Sequence, residues 1–308
     1  MENYTSVPTE FHILPFSYKS PALVIGLFTV IYLLGVIMNV LIVTLIYLDQ
    51  QLHSPMYRFL CNLSFVDLCY TTTIIPRLLH MLSSGNYTMS FRQCFTQMFF
   101  FFLAASTEDL LLFIMAYDRY VAICKPLHYH SILSKEVCSV FMTILWICAS
   151  LNSCLIITPT MNMSFCNSTT IHHFYCDAKA LTTISCGGKE RFFSVIYFEL
   201  FFFVLCPFLC SFTSYTKILQ VIFRIKSVAG RKKAFSTCSS HLTVILLYYG
   251  TAVLVYLLPS SRYSDLLDQV FTLLYATVTP MLNPLIYSLR NKEVKMAATR
   301  LLKLKSNS

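Results

Sequence analysis

Seven stretches of the chain, 22–48, 56–80, 92–118, 138–158, 192–219, 235–258 and 268–289, are each apolar over about 20 residues or more, the length a helix needs to cross a hydrocarbon core roughly 30 Å thick. In that solvent each backbone N–H and C=O must be bonded within its own segment, so each run is restricted to a helix. The runs occupy most of the 308 residues, and only 159–191 leaves a long gap. With 56% apolar and 12% charged residues, the composition is that of a membrane protein. The expected fold is an all-α, seven-transmembrane helix bundle forming one domain over 1–308. Residues 1–21 are its outer tail, 159–191 its long second outer loop, and 290–308 an inner helix and tail.

Charge orients the bundle. With the N-terminus outside, sixteen of the 23 basic residues fall on the inner side, giving +12 there against +1 outside. Cytosolic loops carry the excess of Lys and Arg, so the chain runs N-out, C-in. The formal charge of +9 then faces anionic cytosolic lipid or a cytosolic partner, and no nucleic acid is needed to explain it. The first twenty residues lack the basic, apolar, small-residue order of a cleaved leader, so the first helix is expected to direct insertion.

Under this topology nine of the thirteen cysteines lie in or at the ends of helices, where they act as small apolar residues. Cys94, Cys166, Cys176 and Cys186 lie outside, where oxidation is permitted; four cysteines allow three pairings. Asn3-Tyr4-Thr5 is a glycosylation sequon on the outer tail.

Charge at mid-membrane costs about 2.5–3.5 kcal/mol even on the lenient insertion scale. Asp67, Glu108, Asp109 and Glu199 therefore each need an account. At 100° per residue, Phe101, Ala105, Glu108, Leu112, Met115 and Arg119 form one stripe on the third helix, because eleven residues return within about 20° of the same direction. That face joins the outer third to the cytosolic end, although bundle packing alone also produces such a stripe. His241, Ile245, Tyr249, Ala252 and Tyr256 make a comparable stripe on the sixth helix. Arg119 is expected at the inner boundary, its stem in apolar surroundings, its guanidinium in water and Asp118 partly neutralising it.

Motifs then become specific. LHSPMYRFLCNLSFVDLC (52–69), MAYDRYVAIC (115–124), SY (214–215), KAFSTCSSHL (233–242), YYGT (248–251) and PMLNPLIYSLRN (280–291) occur in the order found in olfactory receptors. The chain resembles that odorant-sensing branch of the rhodopsin-like G-protein-coupled receptors from about residue 20 to 300. The resemblance implies an odorant receptor that activates a stimulatory, olfactory-type heterotrimeric G protein and raises cAMP. It also implies residence in the plasma membrane, in sensory cilia.

Residue by residue, the resemblance makes Asp118, Arg119 and Tyr120 a switch whose release admits the G-protein α subunit. Tyr215 supports the freed arginine, with His241 and Tyr249 on helix six and Asn283, Pro284 and Tyr287 on helix seven completing the machinery. Asn39 and Asp67 match a buried polar pair, and Pro55, Met56 and Tyr57 a first-loop motif. Cys94–Cys176 and Cys166–Cys186 are the implied bridges. Phe101, Phe102, Ala105, Ser106, Glu199, Ala252, Val253, Tyr256 and Ala276 are the implied ligand contacts. Met38, Arg58, Tyr248 and Asp109 depart from the family's usual residues.

Two readings of Glu199 stand: an ionised group favouring a cationic ligand, and a protonated acid donating one hydrogen bond. Two also stand for Asp67 and Glu108: a shared sodium ion, since hard cations take oxygen ligands, and hydrogen bonding to Asn283 or water. No other cofactor is expected. Residues 292–304, with Val294, Ala297, Ala298, Leu301 and Leu304 on one face, read as a short amphipathic helix on membrane lipid. A rhodopsin-like receptor for an amine, peptide or lipid is the nearest rival function. A transporter or channel would show paired repeats with broken helices, and no hydrolase triad, phosphate-binding glycine loop or H-E-x-x-H marks an enzyme. The sequence leaves the oligomeric state open.

Overall fold

The structure, a computed structural model, describes residues 8–15, 21–165, 168–257 and 264–306; the side chains at 233, 237, 252–257, 264–268, 288–290, 292 and 302–306 lie outside that description. Among the described residues the long helices and the inner one after them run in sequence order, α1 (Pro21–Leu48), α2 (Pro55–Ser84), α3 (Phe91–Cys124), α4 (Lys135–Met161), α5 (Lys189–Arg224), α6 (Val228–Leu257), α7 (264–290) and α8 (Lys292–Ser306), with short helical turns at Tyr129–Ile132 and Ala178–Ile184 between them. Each long helix starts ahead of its apolar run, because hydrogen bonding extends beyond the residues that hydropathy marks.

Local chemistry sets the ends. Pro55 occupies the first turn of α2, where a missing N–H costs nothing. The helix stops at Gly85, whose φ of 69° is left-handed backbone that glycine enters without strain. Ser90 caps α3 in a reciprocal box with Gln93. The exposed apolar residues Leu27, Val30, Leu34, Ile37 and Leu41 lie on α1, as a face turned to hydrocarbon requires. Helix α3 is central, packing against α2, α4 and α5.

Two helices contain a wide π turn, Leu200–Leu205 in α5 and Leu274–Val278 in α7. Each lies just before a proline, Pro207 or Pro280, which offers no N–H to the preceding turn and so loosens the ladder there. The extra residue shifts each outer half by about 100° relative to an unbroken helix, which re-aims Glu199 and Tyr275.

The outer tail and second loop contain strands that the apolar pattern does not announce. β1 (Glu10–Ile13) runs antiparallel to β2 (Thr88–Ser90) and parallel to β4 (Thr170–Ile171), while β3 (Ser164–Phe165) pairs with β5 (Ser185–Gly187). β1 alternates exposed Glu10 and His12 with buried Phe11 and Ile13. Phe11 packs on Phe91 and Phe165, at 6.1 and 5.4 Å between ring centres. The tail is thus part of a lid.

Candidate functional site

Phe101, Phe102, Ala105, Ser106, Glu199 and Ala276 are all buried, between 0% and 9% exposed. The side chains of Ala252, Val253 and Tyr256 lie outside the described residues. Phe101 is the hub of the outer half. It stacks on Tyr175 of the second loop at 4.9 Å and 27°, and meets Tyr70 of α2 and Phe102 edge-on at 5.1 and 5.4 Å. Next to Tyr175, Cys176 is bridged to Cys94 at the start of α3. The backbone N–H of Cys176 donates to Gln97 Oε1 at 3.0 Å, while Gln97 Nε2 donates to the Thr73 carbonyl at 2.9 Å. The loop is therefore seated over Phe101 by a covalent bond, an amide side chain and an aromatic stack. Cys186 is disulfide-bonded; Cys166, the partner implied for it, and Asn3 lie outside the described residues.

Below Phe101 the polar residues come together. Tyr248 of α6 donates to the Ala105 carbonyl at 3.4 Å and shares a 2.8 Å hydrogen bond with Tyr275 of α7. Asp109 lies within electrostatic reach of Tyr248 and of Glu199. Two residues that depart from the family pattern are thus neighbours, the phenol of Tyr248 and the acid of Asp109. Ser106 Oγ accepts from Asn152 Nδ2 on α4 at 2.8 Å. A ligand must share that oxygen with helix packing.

At the centre, Asn283 Nδ2 donates to both Asp67 oxygens at 3.3 and 3.2 Å and to Glu108 Oε1 at 3.1 Å. One amide thereby ties α2, α3 and α7 together. Asn39 does not pair with Asp67; it donates instead to the carbonyls of Gly35 and Pro280, at 3.0 and 3.4 Å. Pro284 explains the change: having no N–H, it leaves the Pro280 carbonyl four residues earlier without its helical partner and free to face α1.

At the inner end, Arg119 Nε and Nη2 donate to Asp118 Oδ2 at 2.9 and 2.5 Å. The arginine side chain is only 12% exposed, so the guanidinium is more enclosed than a boundary position suggests. Tyr129 closes the group, its hydroxyl donating to Asp118 Oδ1 at 2.8 Å. Burial, then the neighbouring Asp118 charge, raise the Tyr129 phenol well above its ordinary pKa, so it remains a donor. Tyr215 turns away from Arg119 and bonds His241 Nδ1 at 2.9 Å. Tyr249 and Tyr287 are buried, Pro284 lies within α7, and Lys217 Nζ stands 5.7 Å from the Tyr120 ring. The arginine is held by its own acid, and its supporting tyrosine is occupied elsewhere.

Beneath the membrane, Tyr57 donates to Glu293 Oε2 at 2.6 Å, and Arg300 Nε and Nη2 donate to Asp49 Oδ2 at 2.9 and 2.6 Å. These bonds fasten α8 to the first inner loop. Among the described residues no group of three or more His, Cys, Asp or Glu side chains is placed to hold a metal.

Tyr129, Tyr175, Gln97 and Asn152 were not singled out from sequence. Tyr175 had one available signal, its position beside the outer Cys176. The other three reach partners 11 to 79 residues away, a distance that helical periodicity does not encode.

The olfactory receptor family model matches residues 28–305. Olfactory receptor 2L3 of Homo sapiens is 43% identical over 97% of this chain and 97% of its own length. Olfactory receptor 2L2 of Homo sapiens is 42% identical over 98% and 97%, and olfactory receptor 1E5 of Pan troglodytes 41% identical over 99% and 98%. Six stretches of described residues are long and apolar enough to cross a membrane, and α6, some of whose side chains are not described, is a seventh long helix. A multi-pass bundle in which one central helix joins an aromatic outer cluster to an inner arginine clasp, matched by that family over almost its whole length, belongs to the olfactory receptors.

Proposed function

We propose that this odorant receptor takes a small, mostly apolar ligand in the outer half of the bundle and relays its binding along α3 to a stimulatory G protein. The ligand meets Phe101, Phe102, Ala105, Ser106, Glu199 and Ala276; Ala252, Val253 and Tyr256 are the further contacts that the family resemblance implies. Apolar lining favours such a ligand by burial at roughly 25 cal/mol per Å², and a small molecule buries little, so affinity is modest.

The observation that carries this reading is continuity: Phe101 under the loop, Glu108 on Asn283 and Arg119 on Asp118 all belong to one helix. A ligand that shifts Phe101 against Tyr175 loads the same rigid element that holds the clasp. When the clasp opens, Arg119 needs a new partner, and Tyr215 must exchange His241 for it. The inner cleft so formed accepts the G-protein α subunit, and the signal is cAMP. Sensory cilia are the expected site of action.

The test is a ligand screen in cells carrying the receptor, an olfactory-type stimulatory α subunit and a cAMP reporter, with Arg119→Ala alongside. Odorant-evoked cAMP in the wild type, lost at equal surface density in Arg119→Ala, supports the relay; a full response from Arg119→Ala defeats it. The same reading places a sodium ion between Asp67 and Glu108, because Glu108 Oε2 and Asn283 Oδ1 are buried oxygens without a hydrogen-bond partner. Response curves that shift with sodium in the wild type but not in Glu108→Gln favour the ion, and curves indifferent to sodium in both remove it.

A further inference from the structure

A cavity of about 550 Å³ lies at the outer ends of α2 and α3, and none of the implied ligand contacts lines it. Arg77 of α2 and Arg92 of α3 both line it, with Gln93, Thr96 and Phe100 on the α3 side. No acid contributes to its wall. Arg77 is pre-positioned: its Nη2 donates to the Thr88 carbonyl on β2, while its Nε is buried without a partner. Glu10 stands in register with Ser90 across the sheet, yet among the described residues neither arginine forms an ion pair.

Two arginines lining one acid-free hollow give it a positive charge that an anion would neutralise. The adjoining N-terminus of α3, a 34-residue helix, adds its positive dipole end at the same place. A guanidinium fork matches phosphate oxygens in plane and spacing. Phe100, 49% exposed and seven residues further into the membrane than Gln93, lies about 10 Å below the rim at 1.5 Å per residue. Charge above and an exposed aromatic ring below describe a receptor for an amphiphile, not for a free ion.

We propose that this cavity holds an outer-leaflet phospholipid, its phosphate between Arg77 and Arg92 and the first carbons of its chain against Phe100. The occupied site would brace the α2–α3 hairpin, and through Thr88 the lid strand β2, from the lipid side.

The test uses the full chain purified into nanodiscs of phosphatidylglycerol or of a phosphate-free galactosyl diacylglycerol, the latter with and without inorganic phosphate. Tm and native mass spectrometry of retained lipid are the readouts. Wild type should melt higher in phosphatidylglycerol and retain one lipid on transfer to detergent. Arg92→Gln, at an exposed position that leaves the Thr88 contact intact, should lower retention about ten-fold, the effect of losing one charge-assisted bond. Arg92→Lys should recover part of it, and adding Arg77→Gln to Arg92→Gln should abolish the difference between lipids. Equal retention by wild type and both glutamine variants overturns the proposal. A gain in Tm reproduced by inorganic phosphate in galactolipid discs overturns it as well, since the anion would then need no lipid.

Discussion

Tyr129 shows what a single hydroxyl contributes at the inner end. It lies outside α3, on the short turn Tyr129–Ile132, and supplies the second donor to Asp118 after Arg119. Removing that hydroxyl leaves a buried carboxylate oxygen without its neutral donor, and a hydrogen bond to a charged group is worth about 1.5–3 kcal/mol. At the low end this favours release of the clasp roughly ten-fold. Tyr129→Phe should therefore raise ligand-free cAMP at unchanged surface density, measured beside the wild type; basal signalling that stays level would assign Tyr129 to packing alone. The Asp118–Arg119 pair itself was legible because its members are adjacent and charge is expensive where the apolar run ends. Its third member was not, since eleven residues and a chain reversal separate Tyr129 from Asp118.

Among the elements, α8 depends most visibly on tertiary bonds. Its apolar face buries Val294 and Ala297, an amphipathic pattern that the sequence displays openly. Its attachment through Tyr57–Glu293 and Asp49–Arg300 joins residues more than 230 positions apart and could not be read from that pattern. The hydrogen bond from Arg300 lowers the Asp49 carboxyl below its ordinary value. A depressed carboxylate stabilises fully above its unfolded value of about 3.9, and that contribution is lost as pH falls through the folded value. Asp49→Asn should accordingly lower the amide exchange protection factors across Lys292–Ser306 at pH 7, whereas wild-type protection there should hold at pH 7 and fall only upon acidification below about pH 4. Equal exchange in both proteins at pH 7 would show that the buried apolar face alone holds the helix. The π turns teach a related lesson: Pro207 and Pro280 announced weak points, but whether a proline yields a kink or a widened turn is decided by neighbours such as Thr279, whose hydroxyl donates to the Leu274 carbonyl at 3.1 Å.

For the whole molecule, hydropathy and the bias of Lys and Arg suffice to trace a seven-helix path and its direction, because the bilayer punishes any other arrangement. The outer lid escapes that logic. It lies in water, where short strands such as β1 and β4 gain their order from each other and from the Cys94–Cys176 bridge. Closing a loop across 82 residues constrains the unfolded chain by about 4–5 kcal/mol in the entropic account. Replacing both cysteines by alanine should lower the midpoint of thermal inactivation and the surface level together, by ligand-independent assays; retention of both would mean that Gln97 and the aromatic stack seat the loop unaided.

The threading of β1 has a consequence for biosynthesis. This strand is translated before either neighbour, yet one edge waits for Thr88 and the other for Thr170. Among the earliest segments to emerge, it is among the last to find its place, and a nascent chain halted before the second outer loop presents Phe11 and Ile13 uncovered to whatever chaperone patrols the lumen.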